Sequence, residues 1–356
     1  MANAALKVLV KIGAWFAALP YLCVVLLMLT GSPTWSGVAY LAGLGLLLGG
    51  LMTLPTGERQ ERRVFGRTWP RGISRGAVVA LFAIALVRGC TAGEGATLHF
   101  SPDARFVDRV VDERDLALPG ARVLFASGVL VDDAAEVPTA MREAYSKMHA
   151  QEGDVPSPVV ATYLGMQSPD AFDTVVIEPR ASPRPTSAVI FLHGYAGNFS
   201  LPCWQVAEAV SPLGVLTACP STRWIGDWGS KNGEATVRRT IEALRARGVT
   251  TIVLAGLSNG GYGASHLAPR LRGQLAGLVL VSGADPAASD AGVPALLIHG
   301  RHDEMVGFWE ASAYAARHPR AKLVALDAGH FALLVRSEIA NRALHDFVAK
   351  LVPPQA

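Results

Sequence analysis

The chain has 356 residues, of which 51% are hydrophobic and only 17% charged, with a net charge of +3. Its mean hydropathy of +0.31 is too apolar for an ordinary soluble domain and points to membrane segments joined to a globular part. The small positive charge gives no basic surface of the kind a nucleic-acid partner needs.

The first elements are membrane spans. No charged residue lies between Lys11 and Glu58, which is far more than one bilayer crossing requires. Gly31-Ser32-Pro33 divides this run into spans at Ile12–Thr30 and Trp35–Leu54, with Trp15, Tyr21, Trp35 and Tyr40 near their ends, where amphipathic rings favour the interface. A third apolar stretch, Gly76–Val87, is short; it spans if Arg88 snorkels and the helix runs on toward Gly93, and otherwise lies in the interface.

The link between Leu54 and Gly76 holds six arginines against Glu58 and Glu61. The positive-inside rule puts it, with Lys7 and Lys11, in the cytoplasm. Three spans then place the rest of the chain outside the cytoplasmic membrane; two would leave it in the cytosol. The apolar start is too long, and lacks the small-residue site, for a cleavable signal peptide. Cys203 and Cys219 pair if their domain is extracytoplasmic, or stay as two buried thiols.

Residues 94–162 form a linking or packing segment between the membrane region, 1–93, and the domain at 163–356. Within it Val123–Val131 reads as a strand pair or a continuous buried stretch, Ala134–Ala150 as an amphipathic helix and Glu152–Val159 as a loop. From there uniformly apolar runs alternate with helical stretches. Strands are expected at Thr174–Ile177, Ala188–Leu192, Val215–Cys219, Thr251–Ala255, Leu278–Ser282, Ala295–His299 and Lys322–Leu326. Helices are expected near Leu201–Ser211, Gly233–Arg247, Gly261–Arg272, Phe308–His318 and Ser337–Leu351. Apolar strands alternating with amphipathic helices make an α/β domain, a parallel sheet covered on both faces, with sites at the strand ends.

Gly256-Leu257-Ser258-Asn259-Gly260 has the G-x-S-x-G spacing of a nucleophile elbow. A serine on a sharp strand-to-helix turn needs neighbours without side chains, and the following helix aims N–H groups at developing negative charge. A serine also needs a base held by an acid. Asp303 follows the Ala295–His299 strand and His330 the Lys322–Leu326 strand, so Ser258, Asp303 and His330 each sit just past a strand end. Glu304 and Asp285 are rival acids. His193, His266, His299 and His302 are rival bases, of which His266 and His299 read as packed rings. The oxyanion hole needs two backbone donors: Asn259 N–H, after the serine, and Tyr195 N–H in "FLHGYAGN" (Phe191–Asn198).

On "HGYAGN", "GLSNGG", "HGRHDEMV" and "DAGHF", residues from Thr174 onward resemble the serine hydrolases of the α/β-hydrolase superfamily, of the carboxylesterase/phospholipase-like or polyhydroxybutyrate-depolymerase-like kind. The resemblance implies an eight-stranded, mostly parallel sheet and an acyl-enzyme mechanism with Ser258, Asp303 and His330 as triad. The short link from Ser282 to Ala295, where many relatives insert a helical cap, implies an open site. Trp224 and Trp228, in "PSTRWIGDWGS" (Pro220–Ser230), are either pocket walls or packing. No cofactor or metal is called for, because no cluster has metal-ligand spacing. The expected activity is a membrane-anchored esterase acting on a small or lipid-like acyl substrate, with a peptidase or amidase, or an inactive binding protein of the same fold, as the alternatives.

Overall fold

The computed structural model describes residues 2–29, 31–53, 63–64, 67–68, 73–92, 106–128, 130–179 and 184–353. The arginine-rich link, whose charges set the expected membrane orientation, lies outside these residues apart from a two-stranded hairpin, β1 (Arg63–Val64) and β2 (Arg67–Thr68), and its last three residues, 73–75, which begin a helix. The chain divides into two compact units, residues 1–91 with 109–122, and 92–108 with 123–356.

The first unit contains three helices long and apolar enough to cross a membrane: α1 (Ala2–Leu29), α2 (Trp35–Met52) and α3 (Ile73–Thr91). The third begins three residues before Gly76 and continues past Arg88, so it is a full-length helix where the apolar run alone is short. These helices turn Trp15, Phe16, Leu19, Val79 and Phe82 outward, the inverse of a water-soluble bundle and the arrangement lipid tails favour. Thr34 caps α2 by accepting the Gly37 N–H at 3.2 Å. Asp115, in the first turn of α4 (Glu113–Ala126), accepts both the Thr34 N–H and its hydroxyl.

The second unit is an α/β domain on a mostly parallel sheet. Its sheet runs in the order β3-β5-β4-β6-β7-β8-β9, formed by Thr174–Ile177, Leu216–Pro220, Ser187–Leu192, Thr251–Leu257, Gly277–Val281, Ala295–Gly300 and Ala321–Leu326 respectively. Only the edge strand β3 is antiparallel, pairing with β5; all other pairings are parallel. Seven strands are present among the described residues, one fewer than the resemblance implies.

Both sheet faces are covered, so β4 to β8 are buried at every position bar the ends of β6, which is why their sequences are apolar without alternation. Ile190, Leu192, Leu254, Leu280 and Leu297 pack on one side with Val237, Ile241 and Leu244 of α8 (Lys231–Ala246), Leu267 of α9 (Asn259–Leu267) and Tyr314 of α10 (Phe308–Arg317). The other side carries α7 (Ser200–Val210), α11 (Ala332–Val335) and α12 (Ser337–Val348). A disulfide between Cys203 on α7 and Cys219 on β5 joins that helix layer to the sheet, deciding between the two states open to these cysteines.

One expectation fails ahead of the sheet. Val123–Val131 forms no strand: α4 runs through Ala126 and a turn follows, with Val123, Leu124 and Val131 exposed. Its apolar residues serve a surface and not a ladder. The helix expected at Ala134–Ala150 is present as α5 (Val137–Glu152), shifted by three residues at its start and two at its end. The stretch before the sheet ends in a short helix, α6 (Val159–Tyr163).

Candidate active site

Ser258 lies between β6 and α9 with φ 54° and ψ −121°, a conformation that costs a non-glycine residue about 1–3 kcal/mol and persists only when its surroundings impose it. They do so here through close backbone approach. A Cβ on Gly256 would lie 2.1 Å from the Gly260 carbonyl oxygen, and one on Gly260 would lie 2.1 Å from that of Leu192. The flanking glycines are thus fixed by sterics, β6 turning abruptly into α9 against the end of β4. Ser258 N–H donates to Val281 O at 2.8 Å, tying the turn to β7.

The loop after β4 meets the serine directly, since a Cβ on Gly194 would stand 3.0 Å from that of Ser258. Ala196 (φ 73°) and Gly197 (φ 99°) follow in left-handed conformation and fold the loop back sharply after Tyr195. Asn259 begins α9, so its N–H is one of the unpaired amides at a helix N-terminus. Its side chain has a second duty that the motif does not reveal: Nδ2 donates to the carbonyls of Ile225 and Gly226, at 2.5 and 2.7 Å.

Those carbonyls belong to the Pro220–Ser230 loop, which packs against the loop after β4 through His193. Thr222 N–H donates to His193 Nε2 at 3.2 Å, so the ring proton is on Nδ1, where it donates to Gly194 O at 2.8 Å. Trp228 Nε1 donates to His193 O at 2.8 Å. Burial holds the His193 ring neutral, its pKa lowered to about 4. His193 is therefore a structural link. Trp228 is wholly buried, its Cβ where a side chain on Gly263 would have to go, and is packing; Trp224 is half exposed.

On the far side of the sheet edge, Asp303 and His330 form a buried pair: His330 Nδ1 is 2.8 Å from one carboxylate oxygen and 3.1 Å from the other. Asp303 also accepts the Met305 and Val306 N–H groups, each at 2.9 Å, and its carboxylate lies 3.2 Å from His299 Nε2. Burial opposes ionisation of Asp303, yet the two imidazole N–H donors and the Val306 amide outweigh it and hold the carboxyl well below the usual carboxylate range. His299, a packed ring on sequence grounds, thus bears on the acid itself.

The rivals stand elsewhere. Asp285 pairs with His266 and His302 with Asp327, both in solvent-exposed positions, and Glu304 is exposed. Ser258, Asp303 and His330 are each less than a tenth exposed and follow β6, β8 and β9 at the same edge of the parallel sheet, its C-terminal side. The Ser258 hydroxyl makes no hydrogen bond among the described residues; such contacts often tighten only when substrate binds.

No family model and no curated protein matches the chain. Among solved structures it is similar to Est1E from Butyrivibrio proteoclasticus, at 19% identity over 51% of this chain and 94% of that one, with a TM-score of 0.43. An α/β serine hydrolase without a lid from Xanthomonas campestris matches at 22% identity over 52% and 91%, with a TM-score of 0.43. A Pyrococcus furiosus esterase matches at 16% identity over 51% and 88%, again with a TM-score of 0.43.

Proposed function

We propose that the chain is a membrane-anchored serine hydrolase that cleaves carboxylic esters through an acyl-enzyme. The observation that carries this reading is the buried Asp303–His330 hydrogen bond at the sheet edge where Ser258 sits in its strained turn. A carboxylate on Nδ1 fixes the tautomer with Nε2 unprotonated and stabilises the imidazolium once it forms.

His330 Nε2 takes the Ser258 proton as the oxygen attacks the ester carbonyl, forming a C–O bond and moving the carbonyl electron pair onto oxygen. The N–H groups of Tyr195 and Asn259 hold that oxyanion. When it collapses, the C–O bond to the alcohol breaks and the imidazolium returns its proton to the leaving alkoxide. Water then gives a proton to His330 as its oxygen attacks the acyl-serine carbonyl. When that intermediate collapses, the C–O bond to Ser258 breaks, the imidazolium returns its proton to the Ser258 oxygen and the acid leaves.

The same reading sets the compartment. Three apolar helices, a cytoplasmic arginine link and an internal disulfide agree on a catalytic domain outside the cytoplasmic membrane, where disulfides persist. External protease should digest the domain in cells whose outer layers are permeabilised but whose cytoplasmic membrane is intact. Digestion only after that membrane is breached would overturn the topology.

A fluorophosphonate probe tests the chemistry. It should label the full-length protein and not Ser258→Ala, and an aryl ester should turn over far faster than a peptidyl amide. The opposite preference would make the protein an amidase. No labelling of folded protein would leave a binding protein on a hydrolase fold.

A further inference from the structure

A stretch outside the sheet reaches both the acid and the base. Asp132 Oδ2 accepts the N–H of Glu304, the residue after Asp303, at 2.9 Å. Asp133 Oδ2 accepts the N–H of Gly329, the residue before His330, at 2.8 Å. The fit is close, since a Cβ on Gly329 would fall 2.3 Å from Asp132 Cβ. Just beyond, Glu136 takes Arg336 in a two-pronged pair, at 2.6 and 3.3 Å, while Arg336 Nε donates to Asp327 O at 2.9 Å. Two adjacent aspartates thus bridge the backbones of the loops that carry Asp303 and His330.

Leu130, two residues before these aspartates, borders a cavity of about 370 Å³. Leu124, Tyr163, Tyr195, Ala196, Trp224 and Met305 complete its lining, and the wall is almost wholly carbon. Tyr195, Ala196, Trp224 and Met305 belong to loops already at the site. Tyr195 follows Gly194, Met305 is two residues past Asp303, and Trp224 lies in the loop that Asn259 holds. Leu124, Tyr163, Tyr195, Trp224 and Met305 are each more than two-fifths exposed, a cluster of water-facing apolar groups that marks a binding surface.

We propose that Leu124 and Leu130 supply the acyl-binding wall of the site, selecting a medium-length aliphatic acyl group, and that Asp132 and Asp133 are positioning residues that keep this wall in register with acid and base. This rests on the serine hydrolase reading. The occupant follows from place and chemistry. A carbonyl whose oxygen sits on the Tyr195 amide brings one of its two substituents, taken here as the acyl chain, beside the Tyr195 side chain, and a carbon-lined wall offers little to a polar one. A volume near the lower end of the range for ligand pockets, about 300–1,000 Å³, suits one chain of moderate length and not a pair of long ones.

The test uses the full chain in detergent and p-nitrophenyl acetate, butyrate, octanoate and palmitate. From acetyl to octanoyl, kcat/KM should rise about two- to four-fold per methylene, the upper figure being the full burial of a CH₂, and it should fall at palmitoyl. Leu124→Gln, at an exposed position, should lower the octanoyl-to-acetyl ratio of kcat/KM about ten-fold. Asp133→Ala should lower kcat about ten-fold on both esters with little change in KM. Asp133→Asn should recover most of that loss, because its amide oxygen still accepts the Gly329 N–H. A flat chain-length profile would give the apolar surface to some other occupant and overturn the acyl wall, as would an unchanged ratio in Leu124→Gln. Equal losses in Asp133→Ala and Asp133→Asn would overturn the positioning role. Fluorophosphonate labelling of the same preparations separates the two levels. Labelling with a flat profile sinks this inference alone, and absence of labelling sinks the hydrolase reading beneath it.

Discussion

The loops after β4 and β6 place the serine by the course of the backbone, whereas those after β8 and β9, although Gly300 also packs closely on the Gly329 carbonyl, place the acid and the ring by side-chain carboxylates. Around Ser258 the determinants are a positive φ, glycines whose missing Cβ atoms leave room for carbonyls, and amides at a helix start. Around His330 they are carboxylates: Asp303 on the ring, with Asp132 and Asp133 on the neighbouring N–H groups. Backbone sterics tolerate almost no substitution, because the clash falls on a chain that cannot move alone. A hydrogen-bonded arrangement can lose one acceptor and keep its shape. Changes in the first half should therefore cost stability and activity together, and changes in the second half activity first.

The largest expected effect tests this directly. Asp303→Asn should lower kcat by on the order of 10³–10⁴, since the amide can present its N–H to Nδ1 and trap the wrong tautomer, while costing less stability than a backbone clash, because the amide oxygen still accepts the Met305 and Val306 N–H groups. Gly260→Ala should abolish activity as well and also lower stability, by about 1–3 kcal/mol or more, because its Cβ is directed at the Leu192 carbonyl. Steady-state kinetics paired with chemical unfolding in detergent separates the two. Equal destabilisation by both variants would erase the distinction between the halves.

The same contrast explains what could be read from the sequence. The backbone half announces itself: only glycine fits at positions 256 and 260, so the motif is a record of steric exclusion. The strands were legible because burial on both faces removes any reason for alternation. The side-chain half was legible only at Asp303 and His330, which stand just past strand ends. Asp132 and Asp133 carry no such mark, because an aspartate that accepts an amide nearly 200 residues away in sequence looks like any other surface acid. Val123–Val131 misled for a related reason. An apolar run reads as a strand when its residues go to a core, and here they face a cavity and solvent. Trp228 and Trp224, four residues apart in one loop, could not be sorted without the contact to His193 that buries the first.

An intermediate effect lies in the acid limb of stability and belongs to the backbone half, through His193. Its pKa is about 4 in the folded chain against 6.5 for a free ring, so between these values the unfolded state binds the extra proton. Stability is then complete above about pH 6.5 and declines as pH falls toward 4, by roughly 3 kcal/mol over the whole window. Asp303 adds an acid-side loss of its own, but at lower pH: its folded pKa is depressed, so its contribution is present above the ordinary carboxylate value and fades below it. Unfolding free energies across pH 4–8 should show the His193 slope, and His193→Gln should flatten it. A slope of the same size in that variant would place the titrating group elsewhere.

The smallest expected effect refines the boundary between the halves, because Asn259 belongs to both. Its amide N–H, at the start of α9, is a matter of backbone, and no substitution other than proline removes it. Its side chain ties the Pro220–Ser230 loop to the turn through two carbonyls, as Asp133 ties its own stretch to Gly329. Asn259→Ala keeps the amide and cuts the tie, with a net cost near 1 kcal/mol for hydrogen bonds of this kind. The nucleophile should stay reactive, so fluorophosphonate labelling should proceed at nearly the unaltered rate. What should change is the placing of Trp224, and with it the KM for octanoyl esters, which should rise a few-fold while that for acetyl esters moves less. If labelling collapses instead, the side chain is helping to shape the turn itself, and the nucleophile half depends on more than its backbone.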